Sequence, residues 1–215
     1  MKVKVFILFI FTLLITSLPA AGLELGPHPR LYLSPTGSGR VPGVEQLRQR
    51  IREPAYASAW ERVLRSESAA DRALAFLLTG DTTGLVLVRK SLAETVNRYE
   101  PLVERSLAFD WAYQALSDRE RKFFSRKLME SARATAKRYL IPTVYHNMCR
   151  GRNMGQGMAV LAAWDDDPEA KKLFPTVENE LREFLKILGD GVPAGDMAGR
   201  ACYGGGWPEG YDYDK

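Results

Sequence analysis

The chain has 215 residues, of which 46% are hydrophobic and 26% are charged, values typical of a globular protein with one substantial core. Its formal net charge of +4 falls to +2 when Lys2 and Lys4 of the N-terminal leader are left out. A charge this small gives no support for nucleic-acid binding, although it allows a local basic cleft for an acidic ligand.

Residues 1–21 have the pattern of a signal peptide. Lys2 and Lys4 form a basic start, residues 5–18 are almost purely apolar, and residues 19–22 supply small side chains for a signal peptidase. The apolar run is shorter than the roughly 20 residues that a membrane-spanning helix needs. We therefore expect a cleaved leader, with an uncleaved anchor as the alternative, and a periplasmic or secreted protein.

Residues 22–43 are predicted to form an extended arm and connector. The prolines around His28 exclude a helix, and Leu31 and Leu33 alternate with polar or amphipathic neighbours. This pattern indicates an extended segment laid on a helical surface, followed by a Gly/Pro-rich connector over residues 36–43. His28 is either a ligand or a structural residue of this arm.

Residues 44–215 predict one all-α domain. Apolar residues between Ala70 and Leu78 recur at helical spacing, and Gly80 is placed to end that helix. Ser117 and Glu120 form a capping box for a long helix. The predicted helices cover residues 44–51, 56–64, 70–79, 85–96, 101–116, 118–139, 154–164 and 177–188. Short turns between them favour stacked antiparallel hairpins.

A first polar cluster fills residues 145–157, which we interpret as a loop opening into the helix that begins near Met154. Its candidate functional side chains are His146, Asn147, Arg150, Arg152 and Asn153. Each also has a structural interpretation, because asparagines are good N-caps, a histidine can cap a helix, and arginines are common surface charges. Cys149 of this cluster can pair with Cys202 in an oxidising compartment, or both can be free thiols.

A second polar cluster fills residues 204–213. Three consecutive glycines precede Trp207, Glu209, Tyr211 and Tyr213. Glycines let backbone approach a ligand closely, and flat aromatic faces are of the kind that stack on sugar rings. The segment is therefore either a structural turn or a carbohydrate site. No group of residues in the sequence converges as metal ligands, and we predict neither a metal nor a cofactor.

Several short segments, taken in order, resemble the heparinase II/III-like polysaccharide lyases. They are the residues at 28–33 (His-Pro-Arg-Leu-Tyr-Leu), 78–81, 109–113 (Phe-Asp-Trp-Ala-Tyr), 155–159 and 205–210 (Gly-Gly-Trp-Pro-Glu-Gly). The resemblance implies an incomplete (α/α) toroid of helical hairpins, which in the family is followed by an antiparallel β-sandwich. We therefore expect this chain to be a fragment that lacks the sandwich.

The resemblance also implies a reaction, the β-elimination of uronate-containing acidic polysaccharides of the alginate or glycosaminoglycan type. Hydrogen-bond donors neutralise the uronate carboxylate, and a base removes the proton next to it. Asn147 and His146 match the neutralising position, with Asn153 as a rival to Asn147. Tyr211 or Tyr213 matches the base. The candidates for binding substrate are Arg150, Arg152, Asn153, Trp207 and Glu209.

Two other functions stay open at this stage. A glycoside hydrolase on an α-toroid would need two carboxylates flanking one cleft, for which Glu209 with Asp196 or Asp110 are the candidates. A non-catalytic carbohydrate-binding protein is the third possibility. The expected partner is an acidic polysaccharide, with no nucleic acid and no stable membrane anchor.

Overall fold

The computed structural model describes residues 24–37, 41–138 and 147–190, and the regular elements within these ranges are all helical. The predicted all-α class is therefore confirmed. The helices are α1 (Val44–Arg50), α2 (Ala57–Arg65), α3 (Ala69–Thr79), α4 (Leu85–Ala93), α5 (Tyr99–Ala112), α6 (Asp118–Arg138), α7 (Asn147–Ala162) and α8 (Pro168–Asp190), with 3-10 turns at Pro54–Tyr56 and Tyr113–Ala115. A parallel bridge between Ser34 and Gly43 joins the arm to the start of α1.

Among the described helices, none has the combination of length and apolar character needed to cross a membrane.

Local signals determine both ends of α3. Ser68 precedes its first residue and accepts a hydrogen bond from the backbone N–H of Asp71 at 3.4 Å. Gly80 ends it with a φ of 76°, a left-handed conformation that glycine adopts without strain. Arg48 of α1 donates to two carbonyl oxygens in the last turn of α3 at 2.9 and 3.1 Å. A cation at this end also opposes the negative pole of the helix dipole.

The predicted capping box at the start of α6 is confirmed. Glu120 accepts hydrogen bonds from the backbone N–H and the hydroxyl of Ser117, both at 2.8 Å, and its own N–H donates to the Ser117 hydroxyl at 3.4 Å. Arg89 of α4 donates to the same carboxylate at 2.7 Å. The backbone N–H of Ser117, the Arg89 guanidinium and the Ser117 hydroxyl together lower the pKa of Glu120 to about 2.

The central helix is α5, which packs against α3, α4, α6 and α7, with its largest contacts to α7 and α3. Leu102 and Phe109 are fully buried in the core. The Ser106 hydroxyl donates to the Leu102 carbonyl at 2.8 Å. The buried guanidinium of Arg105 donates to the carbonyl and the carboxylate of Glu94 at 2.5 and 2.8 Å. Polar groups on this enclosed helix are therefore tolerated because they are hydrogen-bonded.

The start of α7 differs from the prediction. The sequence predicted a polar loop with a helix beginning near Met154, whereas α7 begins at Asn147. Gly151 and Gly155 lie one turn apart and face Tyr99 of α5. A Cβ atom at Gly151 would lie 2.7 Å from two ring carbons of that tyrosine, and one at Gly155 would lie 3.3 Å from its carbonyl oxygen. Close packing against α5 therefore outweighs the low helix propensity of glycine.

The last described helix is longer than predicted. The sequence placed it at residues 177–188 with Gly189 as its stop, but α8 runs from Pro168 to Asp190 and contains Pro175. Asp167 accepts a hydrogen bond from the backbone N–H of Glu169 at 2.9 Å, so it caps the new start as an N-cap does. Pro168 occupies the first helical position, where a missing N–H costs nothing.

Two helices are shorter than the sequence predicted. Helix α4 ends at Ala93, three residues before the predicted end. Helix α5 ends at Ala112, and the 3-10 turn Tyr113–Ala115 takes up the following residues. Leu116 is then extended, with a φ of −96° and a ψ of 133°, because the chain must leave α5 before Ser117 caps α6.

Candidate functional site

The N-terminal arm is held by one buried carboxylate, that of Asp110 in α5, which is 1% exposed. It accepts hydrogen bonds from Nδ1 of His28 at 2.5 Å and from the backbone N–H of Leu31 at 2.9 Å. The backbone N–H of Arg30 donates to its two oxygens at 3.1 and 2.9 Å. Trp111 adds a hydrogen bond from its indole N–H to the Leu31 carbonyl at 3.0 Å. Several donors thus compensate the burial of this charge.

His28 is enclosed between the arm and α5. Its ring stacks on that of Tyr113, with 3.7 Å between centroids and 12° between planes, and it meets Phe109 edge-on at 6.2 Å. The residue is buried, and its Nε2 atom has no hydrogen-bond partner among the described residues. Of the two interpretations that the sequence left open, these contacts favour a structural residue of the arm.

Charged and aromatic groups surround this cluster. Arg30 donates to the Asp165 carboxylate at 2.6 Å, and the guanidinium of Arg121 lies 4.2 Å from the ring centroid of Tyr113. Burial, followed by the charge and hydrogen bonding of Asp166, raises the pKa of Tyr113 to about 12, against the opposing effect of Arg121. The phenol is therefore protonated at neutral pH.

The chemistry of the cluster is that of an anchor. An Asp–His pair serves catalysis when the second imidazole nitrogen activates a nucleophile, but in the described part of the chain nothing bonds to Nε2 of His28. Tyr113 holds its proton too tightly to act as a general base near pH 7. Asp110, a candidate carboxylate for the hydrolase alternative, is covered by the arm, so a substrate would have to displace the arm to reach it.

The predicted binding residues in the described part of α7 form contacts between helices. Arg152 donates from Nε to Oδ1 of the Asn153 side chain at 3.0 Å and from Nη2 to the Glu180 carboxylate of α8 at 2.7 Å. Arg152, Asn153 and Gln156 are all buried, and the Gln156 amide donates to the Ala132 carbonyl of α6 at 3.3 Å. Substrate binding by Arg152 and Asn153 stays a prediction, and an anionic ligand would compete with Glu180.

The other predicted site residues lie wholly or partly outside the described residues. Asn147 and Arg150 are in the first turn of α7 by their backbone, and nothing is described of their side chains. The remaining candidates fall in the ranges 139–146 and 191–215: His146, Asp196, Trp207, Glu209, Tyr211 and Tyr213, together with Cys202 of the possible disulfide. Their assigned roles stay predictions.

Sequence reasoning missed the role of Asp110. The segment 109–113 was used for its resemblance and Asp110 as a candidate hydrolase carboxylate. A carboxylate beside Phe109 on the inner face of a helix, however, needs a buried partner. The donors come from residues 28–31, some 80 positions away, and the sequence carries no direct signal of that pairing.

Sequence reasoning also missed an exposed basic face on α6. Arg119, Lys122, Phe123 and Arg126 line a surface groove of about 430 Å³ together with Asp118. The spacing i, i+3, i+4 and i+7 was available as a signal, because residues at these positions share one side of a helix. It was overlooked because the opposite side of α6 gives the stronger apolar pattern.

Comparisons with family models, with characterised proteins and with solved structures found no match to this chain. Across residues 24–37, 41–138 and 147–190, no group of three or more His, Cys, Asp or Glu side chains is arranged to hold a metal ion.

Proposed function

We propose that the protein is an exported polysaccharide lyase-like protein that cleaves uronate-containing acidic glycans by β-elimination, on helical hairpins arranged as an incomplete (α/α) toroid. The observation that carries the proposal is the start of α7 at Asn147, directly after His146 in the chain. Backbone N–H groups at a helix start are unpaired within the helix, and the dipole is positive there. A uronate carboxylate is the kind of group that such an end attracts.

The proposed reaction has two requirements, a neutralised carboxylate and a base. Asn147 and His146 donate hydrogen bonds to the C6 carboxylate and hold the negative charge of the enolate-like intermediate. Tyr211 or Tyr213 removes the proton from C5. The electron pair forms the C4–C5 double bond as the glycosidic oxygen leaves C4 and takes up a proton, so no water is consumed.

The remaining predicted residues would serve binding in this scheme. Arg150 and Arg152 are suited to carboxylate or sulfate groups of the glycan, and Trp207 offers a flat face to a sugar ring. Glu209 would accept hydrogen bonds from sugar hydroxyls. The buried pairing of Arg152 with Glu180 favours Arg150 as the arginine that contacts the ligand.

Two of the segments that carry the resemblance, residues 28–33 and 109–113, are in direct contact through Asp110, although they are far apart in the chain. This contact explains why both segments are needed for the fold of this chain. It carries no argument about the family or the substrate.

A non-catalytic protein that binds acidic carbohydrate is the second candidate, and the exposed cations of α6 favour it. The hydrolase alternative is weaker, because the buried Asp110 cannot act as one of its two carboxylates and Asp196 and Glu209 would have to supply both.

The test is a measurement of products from alginate, heparan sulfate and chondroitin sulfate. A lyase gives the ultraviolet absorbance of an unsaturated uronate together with new reducing ends. We expect Asn147→Ala to lower that rate by about 10²–10³-fold, the usual loss for one donor to a developing oxyanion. Gln49→Ala removes a carboxamide from an exposed position on α1 and should leave the rate unchanged.

Each other outcome has a defined meaning. Reducing ends without the unsaturated product would identify a hydrolase, and binding without any product would identify the second candidate. Undiminished elimination in Asn147→Ala would contradict the assignment of that residue. Tyr211→Phe and Tyr213→Phe, compared side by side, identify the base, because the phenylalanine keeps the ring and removes the proton acceptor.

A further inference from the structure

We propose that the exposed face of α6 formed by Arg119, Lys122, Phe123 and Arg126, here called the α6 face, is a docking site for a linear acidic polysaccharide. It is separate from the reaction assigned to α7, and the choice of a glycan as its occupant rests on the proposed function.

The α6 face is built on a rigid element. All four residues are exposed, and Phe123 keeps 45% of its surface accessible. On the opposite side of the helix, Phe124, Leu128, Met129 and Ala132 are buried in the core. With a rise of about 1.5 Å per residue, the first and last cations are about 10 Å apart along the axis. The helix therefore sets the spacing of the three cationic residues along one side, in a row that a linear polyanion can follow.

The cations of the α6 face form no ion pair within the described part of the molecule. Arg119, Lys122 and Arg126 have no carboxylate within 4.0 Å among the described residues. Other cations of the same helix do have partners: Arg121 with Asp118 at 3.3 Å, Lys127 with Glu130 at 2.8 Å, and Arg133 with Glu169 at 3.3 Å. Asp118, the carboxylate that borders the groove, is thus already engaged. A row of unpaired positive charges is complementary to a chain of carboxylates or sulfates.

Phe123 supplies the apolar part of the site. Its ring packs edge-on against the buried Phe124 with 5.4 Å between centroids, and the Lys127 ammonium lies 5.9 Å from its centroid. The ring thus contacts Phe124 and lies near Lys127 while a large part of it faces solvent. An exposed aromatic face among cations can contact the C–H face of a sugar ring while the arginines and the lysine bind its charged groups.

The composition of the α6 face argues against an anionic membrane as its occupant. Membrane-surface helices bury a broad apolar face in the lipid, whereas the apolar residues of α6 other than Phe123 mostly lie in the protein core. One aromatic ring gives too little apolar area for such binding. Duplex DNA would be bound by the cations alone and would gain nothing from an aromatic residue on a convex helix.

The experiment measures binding of the 215-residue protein to alginate and to heparan sulfate by affinity electrophoresis and calorimetry. We expect the triple variant Arg119→Gln, Lys122→Gln, Arg126→Gln to bind about tenfold more weakly, the product of three exposed charge contacts. Its affinity should also depend less steeply on salt. The matched control replaces Arg50, Arg52 and Arg62 by Gln, which removes the same charge from three exposed positions elsewhere.

Phe123 is tested separately. Phe123→Ala should weaken binding severalfold at every salt concentration, because stacking on a sugar is not ionic, and Phe123→Tyr should restore it. Alginate carries carboxylates alone, while heparan sulfate also carries sulfates, so the preferred polymer defines which anion the α6 face takes.

The outcomes separate this site from the reaction at α7. Weaker binding in the α6 variants, with normal binding in the Arg50, Arg52 and Arg62 control, supports the α6 face even if no elimination is found. Equal weakening in the control would show a general charge effect and would overturn the proposal. Tighter binding to phosphatidylserine vesicles or to duplex DNA than to either glycan, lost in the same triple variant, would overturn the choice of occupant.

Discussion

Removal of the Asp110 carboxylate should release the N-terminal arm and destabilise the domain. In Asp110→Ala, three donors lose their acceptor: the buried Nδ1 of His28, the buried backbone N–H of Leu31 and the half-buried backbone N–H of Arg30. Each unsatisfied buried donor costs about 1–3 kcal/mol. The costs are not additive, because the arm can detach and solvate its own groups. We therefore expect a loss of about 3–5 kcal/mol in the free energy of unfolding, which is below the upper end of the additive sum of these costs.

Urea unfolding followed by circular dichroism measures this loss, and trypsin cleavage after Arg30 reports on the arm itself. The Arg30 side chain is 9% exposed in the native protein, so cleavage there should be slow and should become fast in Asp110→Ala. The matched control is Asp118→Ala. That carboxylate is 91% exposed and its ion pair with Arg121 is at the surface, so a change within about 1 kcal/mol is expected. A value for Asp110→Ala equal to that of the control would refute the anchoring role.

Three further predictions concern stability. Gly151→Ala should destabilise the domain by about 1–2 kcal/mol in thermal unfolding. The added Cβ would lie 2.7 Å from the facing tyrosine ring of α5, and this clash outweighs the gain in helix propensity. Gly26→Ala is the control, because nothing lies within 4 Å of its added Cβ. Arg152→Ala should lower the free energy of unfolding by about 1–3 kcal/mol in urea, and a double-mutant cycle with Glu180→Ala should show a coupling energy between the two side chains. A coupling energy of zero would contradict a stabilising ion pair between them. The pKa of Glu120 is lowered from 4.5 to about 2, so its ionised form stabilises the folded state above pH 4.5, and this stabilisation is lost as the pH falls towards 2. Glu120→Gln should therefore make the free energy of unfolding depend less steeply on pH in this acid range.

The local elements could be predicted because their signals lie within a few residues of one another. Gly80 as the stop of α3 and the capping box of Ser117 and Glu120 depend on helix geometry alone, and both are confirmed. The apolar stripe predicted for α3 is confirmed in part, because Leu74 and Leu77 are half-buried. The all-α class follows from the same periodicity.

The start of α7 could not be predicted in this way. Residues 147–157 are rich in glycine and polar groups, which favour a loop when only the chain itself is considered. In the structure, Gly151 and Gly155 let α7 pack closely on Tyr99, and the polar side chains of Arg152 and Gln156 find partners on α8 and α6. The conformation of this segment is decided by neighbours that come from other parts of the chain.

The candidate site, like the helices, could be predicted only as far as local sequence signals reach. The sequence was sufficient to single out His28, the 109–113 segment and the window around Asn147 as unusual, because each combines residue types that need partners. It could not show that His28 and Asp110 are each other's partner, since 82 positions separate them and no pattern within a helix or arm encodes that contact.

The sequence by itself determined where most helices begin and end and that they form one α-helical core. The tertiary structure decided which polar side chains are buried and hydrogen-bonded within the protein and which remain exposed. A buried polar or charged side chain destabilises the fold unless it is hydrogen-bonded, so Asp110 and Arg152 have partners within the protein. Exposure leaves the charges of Arg119, Lys122 and Arg126 available for a partner. That difference depends on the environment of a side chain, which is a property of the folded chain.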